Sequence, residues 1–238
     1  MESTPEPTVR DWFEGPLGAR VLREEAALAT LALDNVFGFE LLQVGAWGPK
    51  RHMLDGARTQ HATLLAPELT PGVTLCAPLD TLPFRSDSID AIVLPHTLEL
   101  VEDPYAVLRE AERVLTAEGC LLICGFNPFS GWGASRRFAQ YWERPAFPPG
   151  TQRMLSERRL RDWVALLGFD VDSVLGYLGF LPLKGGAIEV RPRRPLTAGG
   201  YLLKARKRVP TLTLIRPRRR VRQRVLVGAP EPTHKVGP

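Results

Sequence analysis

"SIDAIVLPHTLELVEDPYAVLREAERVLTAEGCLLICGF", Ser88 to Phe126, holds two apolar runs with a helical repeat between them. The first run, "SIDAIVLP", reads as a strand with a β-branched centre buried on both faces. The middle is a well-signalled helix. Asp103 stands where a cap belongs, and Pro104 falls in the first turn, where its missing N–H does no harm. Tyr105, Leu108, Ala111, Glu112 and Leu115 trace the inner stripe and its edge at helical spacing. Gly119 closes the segment and "CLLICGF" opens a second buried strand. Strand, helix and strand joined by short turns make a parallel β-α-β unit.

The same alternation extends outward. Upstream, Leu22, Leu28, Leu31 and Ala32 give a helical stripe over Arg20–Leu33, beside Arg23, Glu24 and Glu25. Leu41–Val44 is a strand running into the glycine turn "GAWG", and Pro49–Gly56 is expected as a short helix. Ala62–Ala66 and Val73–Cys76 read as short buried strands separated by "PELTPG". Downstream, residues 126–150 form a connection rich in aromatics, proline and glycine. Ser156 caps a helix carrying Leu160, Trp163, Leu166 and Leu167, and Gly168 stops it. "FDVDSVLGYL" and "GGYLLKARK" supply a final pair of strands. The expected fold is a doubly wound, Rossmann-like, mostly parallel α/β sheet with an antiparallel edge strand. Residues 1–8 and 211–238 are expected to be disordered around one domain spanning 9–210.

With 238 residues the chain holds one full α/β domain or at most two small ones. Asp34 and Glu40 interrupt the longest apolar candidate, so a spanning helix is not expected. "MESTPEPTVRDW" carries acids and prolines where a signal peptide needs a basic and an apolar segment. The three cysteines, Cys76, Cys120 and Cys124, lie on apolar stretches, which suits reduced thiols in the cytoplasm. The formal charge of +5 hides a division. Arg191–Arg224 holds 13 Lys and Arg with no acid, and residues 1–190 carry −8. A basic end on an acidic body suits nucleic acid or another anionic surface; it equally suits a solvated tail.

Ligands of doubly wound sheets bind beyond the carboxyl ends of the strands, at the point where strand order reverses. That rule selects Gly45–Gly48, Ala66–Pro67, Ala77–Leu82 and Pro95–His96. His96 follows the buried strand directly and can orient or deprotonate a substrate, or simply bond a backbone carbonyl. Asn127 can bond a substrate or shape the turn before Pro128. The aromatics Phe126, Phe129, Trp132, Phe138, Tyr141, Trp142 and Phe147 form either a lid over an apolar pocket or the packing of an inserted helix. The four histidines do not cluster, and Cys120 with Cys124 lacks structural zinc spacing, so no metal site is expected. No G-x-S-x-G elbow is present, and "GAWG" lacks the G-x-G-x-x-G spacing of a dinucleotide fold.

The segment Leu82-Pro83-Phe84, then Ile89-Asp90-Ala91, Leu98-Glu99, Asp103-Pro104 and Arg113-Val114-Leu115 with Gly119, resembles the class I S-adenosylmethionine-dependent methyltransferases of type 11. The resemblance covers roughly residues 38–130 and rests on the order and spacing of these pieces together. It implies S-adenosylmethionine as cofactor, held by Gln43, Gly45, Ala46, Trp47, Gly48, Ala66, Pro67, Asp80, Thr81, Leu82 and Pro95, with His96 facing the methyl acceptor. The chain departs from the family's pattern at three contacts. The acid that usually ends the first strand is Gln43. The ribose-binding carboxylate has become Ala66-Pro67, with Glu68 two residues late. The acid facing the adenine amine has become Pro78, with Asp80 two residues on. Loss of the ribose carboxylate alone weakens binding by roughly tenfold to a hundredfold. Trp47 stands where the family has a glycine, and its indole has three possible places: a pocket wall, a plug, or unrelated packing. Two functions follow. One is a cytoplasmic methyltransferase with an unknown acceptor. The other is a degenerate methyltransferase fold kept as a binding module, docking RNA through Arg191–Arg224.

Overall fold

The computed structural model describes residues 8–47, 53–54, 58–137, 149, 151, 153–179, 198–208 and 237. Of the expected short helix Pro49–Gly56 only Met53 and Leu54 are described, in a turn, and residues 138–148 and 150 of the aromatic connection fall outside. So do the expected disordered ends, apart from Thr8 and Gly237.

A helix that sequence periodicity does not suggest starts the fold. Thr8 and Asp11 form a reciprocal capping box, which begins α1 at Val9–Glu14. Gly15 ends α1 and serves as N-cap of α2, Pro16–Leu33. The two helices meet closely enough that a Cβ on Gly18 would sit 2.3 Å from the Trp12 carbonyl oxygen, so only glycine fits there.

Strands and helices then alternate: β1 Phe37–Val44, β2 Arg58–Ala66, β3 Leu75–Cys76, β4 Ile89–Pro95, α3 Thr97–Leu100, α4 Pro104–Val114, β5 Leu115–Phe126, α5 Gly131–Arg137, α6 Glu157–Leu166, β6 Phe169–Tyr177 and β7 Gly200–Lys207. Among the described residues these strands form one sheet in the order β3-β2-β1-β4-β5-β7-β6. The first five strands pair in parallel, and β7 runs antiparallel to both β5 and β6. The final strands therefore close one flank of a mostly parallel sheet, as expected, with β7 inserted inside β6.

The strand β4 is buried on both faces. Ala91 and Val93 join the core under α1 and α2, while Ile92 and Leu94 join the core under α4 and α6. Asp103 caps α4 by accepting from the Tyr105 and Ala106 backbone N–H groups at 3.0 and 3.1 Å. The helix stops at Val114, and the strand begins before Gly119. Its last carbonyls are already engaged: Asp87 and Ser88 N–H bond those of Arg113 and Val114.

Two lysines of β7 close the layers from inside. Lys204 donates to the Ala32 carbonyl at the end of α2, and Lys207 donates to the Glu112 and Leu115 carbonyls at the end of α4. Three residues apart on a strand, they point to opposite faces and meet the negative ends of helices on each side.

Candidate functional site

The strand order reverses between β1 and β4, and their C-terminal tips sit side by side there. At the tip of β1 the chain turns through Gly45 with φ +102°, a conformation that favours glycine. Three bonds fix the turn. Gly45 N–H reaches the Leu65 carbonyl at 2.8 Å. The Gln43 side-chain amide donates to the Gly45 carbonyl at 2.9 Å. The Thr97 hydroxyl donates to the Val44 carbonyl at 2.5 Å. Gln43 thus acts on the turn itself.

Trp47 folds back over this turn. A Cβ on Gly45 would lie 2.6 Å from the indole Nε1 and 2.8 Å from Thr97 Oγ1. The ring packs against the core beneath α1 and α2. It also walls a cavity of about 470 Å³ that Ala46, Ala66, Pro67, Glu68 and Thr70 line from the sheet side and Thr8, Val9 and Arg10 from α1 and its cap. Arg10 reaches over the rim to the Thr70 hydroxyl at 3.0 Å. Four of the residues expected at the cofactor, Ala46, Trp47, Ala66 and Pro67, therefore meet around one space. The displaced acid Glu68 joins them, within reach of whatever lies beyond β2.

The other expected residues lie elsewhere. Asp80 lines a separate cavity of about 450 Å³ with Arg109, Glu112 and Leu167 on the α4 side of the sheet. Thr81 is exposed. The backbone of Leu82 is engaged at both ends: its N–H bonds Glu110 at 2.9 Å and its carbonyl accepts from Arg113 at 3.0 Å. Arg113 also donates to the Phe84 carbonyl. The motif pieces "LPF" and "RVL" thus meet in space, with one arginine holding the turn of the other. Pro95 ends β4 opposite Cys124. Gly48 falls outside the described residues.

His96 follows Pro95 in a left-handed conformation, φ 52°. Its ring is 1% exposed and does not line either cavity. Nε2 lies 2.5 Å from Glu25 Oε1 of α2, and Nδ1 lies 2.7 Å from Glu99 Oε2 of α3. Tyr177, at the end of β6, donates to the same Glu25 oxygen at 2.5 Å. The second oxygen of Glu99 accepts from the Phe126 N–H at 2.8 Å. Phe126 stacks on the imidazole at 4.1 Å between centroids. Burial opposes a charge on this ring, but the field of Glu25 and hydrogen bonds to both glutamates outweigh it and raise the His96 pKa to about 10. With its pKa raised to about 10 the ring is charged at neutral pH, and each nitrogen faces a carboxyl oxygen. Burial raises the pKa of Glu99.

Among the described residues, three buried side-chain atoms have no hydrogen-bond partner: Glu25 Oε2, Gln43 Oε1 and Trp47 Nε1. All three belong to the β1–β4 tips and the helix packed on them. Unsatisfied polar groups are rare in folded interiors.

The aromatic connection divides. Phe126 and Trp132 are core residues, ring against ring at 5.5 Å, and the Trp132 indole donates to the Gly179 carbonyl. Phe129 is 75% exposed. Phe138 to Phe147 fall outside the described residues. Asn127 shapes a turn, bonding the Ala198 carbonyl and the Phe129 N–H. Glu25 and Tyr177 have no motif to announce them. The available signal was Glu25 falling between Leu22, Leu28 and Ala29 on the buried face of α2. No three His, Cys, Asp or Glu side chains among the described residues are grouped to hold a metal ion, and no described helix is long and apolar enough to cross a membrane. Most of Arg191–Arg224 falls outside the described residues. Its four described cations all have intramolecular partners: Lys204 and Lys207 the helix ends, Arg206 Asp172, and Arg208 Asp170.

Comparison with known proteins agrees with this geometry. Residues 35–123 match the methyltransferase domain family of type 11. An uncharacterised Escherichia coli protein, YafS, is 32% identical over 180 residues, 76% of this chain and 73% of that one. A Thermotoga maritima SAM-dependent methyltransferase superposes with a TM-score of 0.61 at 20% identity, covering 79% of this chain and 92% of the other. A SAM-dependent methyltransferase from Mesorhizobium loti superposes with a TM-score of 0.53 at 16% identity, covering 77% and 98%.

Proposed function

The chain belongs to the class I methyltransferase domain family, whose cofactor is S-adenosylmethionine, and we propose that it transfers a methyl group from this cofactor to an acceptor of unassigned class. The observation that carries the proposal is the cavity of about 470 Å³ at the tips of β1 and β2. Its volume suits a nucleoside-sized ligand, and its lining is mainly apolar with a few polar groups at the edge. The residues present fit the group. Ala46, Trp47, Ala66 and Pro67 would hold the nucleoside, and the Glu68 carboxylate replaces the family's ribose acid from two residues further along. When bound, the cofactor supplies a methyl group already activated on a sulfonium.

The protein's own work in such a displacement is alignment and exclusion of water. Trp47 walls the cavity against the core, and α1 covers its outer side. Gln43 and Thr97 fix the carbonyls on either side of the turn. His96 contributes by position: a ring protonated and bonded on both sides holds the β4 tip and leaves no nitrogen to take a proton from an acceptor. Three unpaired thiols, two of them buried, suit the cytoplasm as its setting.

Calorimetric titration of the full chain with S-adenosylmethionine or S-adenosylhomocysteine tests the proposal. Saturable binding is expected, weakened roughly tenfold by Glu68→Gln, which removes a charge-assisted partner. Ala66→Trp, which fills the cavity, should abolish it. No heat up to millimolar ligand would overturn the proposal.

A further inference from the structure

We infer that the Arg10 guanidinium takes the carboxylate of the ligand's amino-acid chain, so that the site selects this chain as well as the nucleoside. The inference rests on the proposal that the cavity beside Trp47 takes the cofactor.

Arg10 and Glu68 are the two charged side chains among those lining the cavity. They do not pair with each other, and among the described residues neither has an ion-pair partner. Asp11, the carboxylate next to Arg10 in the chain, is committed to the cap of α1. It accepts from the Thr8 N–H and from the Thr8 hydroxyl, each at 2.8 Å. Arg10 itself donates to the Thr70 hydroxyl at 3.0 Å. A guanidinium carries five N–H donors in a planar fork. A neutral hydroxyl engages one of them and matches none of the charge.

The rest of the lining decides which ligand group complements this cation. Val9, Ala46, Trp47, Ala66 and Pro67 give an apolar wall suited to the nucleoside, and Glu68 is the proposed partner of the ribose. Beyond the nucleoside the cofactor carries a sulfonium, an ammonium and a carboxylate. Arg10 repels the first two. It matches the third in charge and in shape, since guanidinium and carboxylate can share two parallel hydrogen bonds. Arg10 is half-buried, so such a pair is screened less than one on an open surface. The consequence concerns selection more than turnover. The spent thioether keeps the same chain, so Arg10 holds donor and product alike and excludes nucleosides that lack the carboxylate.

An arginine at a cavity rim can also serve only to tie α1 to the turn after β2, here through Thr70. Probes that differ in the carboxylate alone separate the two roles. The full chain is titrated with S-adenosylmethionine and with its decarboxylated form, which keeps the sulfonium and the ammonium. The first is expected to bind roughly tenfold tighter, the low end for a charge-assisted pair. Arg10→Gln should bring the ratio towards one by weakening S-adenosylmethionine and leaving the decarboxylated form nearly unchanged. Arg10→Lys, which keeps the charge without the fork, should restore part of the ratio. S-adenosylhomocysteine, which keeps the carboxylate, should lose affinity in Arg10→Gln by the same factor as S-adenosylmethionine. If Arg10→Gln does not fold, the wild-type ratio decides by itself. Equal binding of the two probes to the wild type, or an Arg10→Gln variant that weakens both equally, would overturn the inference and leave the cofactor site standing. Failure of all three ligands to bind would remove the site and the inference together.

Discussion

The indole of Trp47 occupies the space in which a side chain on Gly45 would have to stand: a Cβ there would lie 2.6 Å from Nε1. The glycine and the tryptophan are therefore one unit, and substitutions at the two positions have unequal consequences.

Gly45→Ala should be costly. The alanine would carry a positive φ of 102° and drive its methyl group into the indole and the Thr97 hydroxyl. We expect a loss of about 1–3 kcal/mol from backbone strain, before any cost of moving the ring. Urea unfolding of the two proteins measures it, and an unchanged midpoint would contradict the packing described.

Trp47→Phe should cost far less than its lost volume implies. The substitution removes a buried N–H that has no acceptor, an arrangement that costs about 1–3 kcal/mol when left in place. The expected stability is within about 1 kcal/mol of wild type, because relief of the orphan donor offsets the lost ring area. Trp47→Ala has no such offset beyond the same N–H and opens a void, so it should lose about 3 kcal/mol or more. Equal losses in the two variants would show that the N–H finds a partner in solution.

His96 gives stability a definite pH dependence. Its folded pKa of about 10 lies above the usual 6.5, so the folded state binds the extra proton between these values. The contribution is complete below pH 6.5 and falls as pH rises, by about 1.4 kcal/mol per pH unit for one proton. The window from pH 6.5 to 8.5 is the cleanest, since the buried thiols and phenols of Cys120, Cys124, Tyr177 and Tyr201 enter above it. Unfolding midpoints across this window should decline in wild type and flatten in His96→Gln. A flat wild-type profile would mean that the ring is neutral.

Lys207→Met should destabilise the fold although it removes a charge from a basic stretch. The ammonium group bonds the Glu112 carbonyl at 2.7 Å, the Leu115 carbonyl at 2.8 Å and Asp87 at 2.9 Å. Methionine fills the volume and leaves two buried carbonyls unmet, a loss of about 2 kcal/mol. Thermal unfolding reads the change directly, and a neutral result would return Lys207 to the pool of solvated cations.

These sites differ in how far sequence discloses them. The unit from Ser88 to Phe126 is legible because its signals are local: a capping Asp103, a proline in the first turn, and apolar runs of strand length. That Ala46, Trp47, Ala66 and Pro67 gather around one cavity is legible because they stand at the strand tips of a doubly wound sheet. The helix α1 was legible in principle through Thr8 and Asp11, but six residues give too short a period to notice. The environment of His96 is of another kind. Tyr177 and Glu25 stand 152 residues apart, and no local pattern couples them. Nor does any stretch of sequence reveal that β7 enters between β5 and β6, since strand order follows from how the whole sheet closes.

That insertion has a consequence for synthesis. A growing chain that has emerged only as far as Tyr177 holds β5 and β6 with no strand to join them, and both expose unpaired backbone edges until Gly200–Lys207 arrives. Antiparallel pairing on both sides of β7 must then form across a long sequence interval, which is slow. Aggregation and chaperone capture should therefore concentrate on nascent chains stalled between these two points, and release of residue 207 should end them.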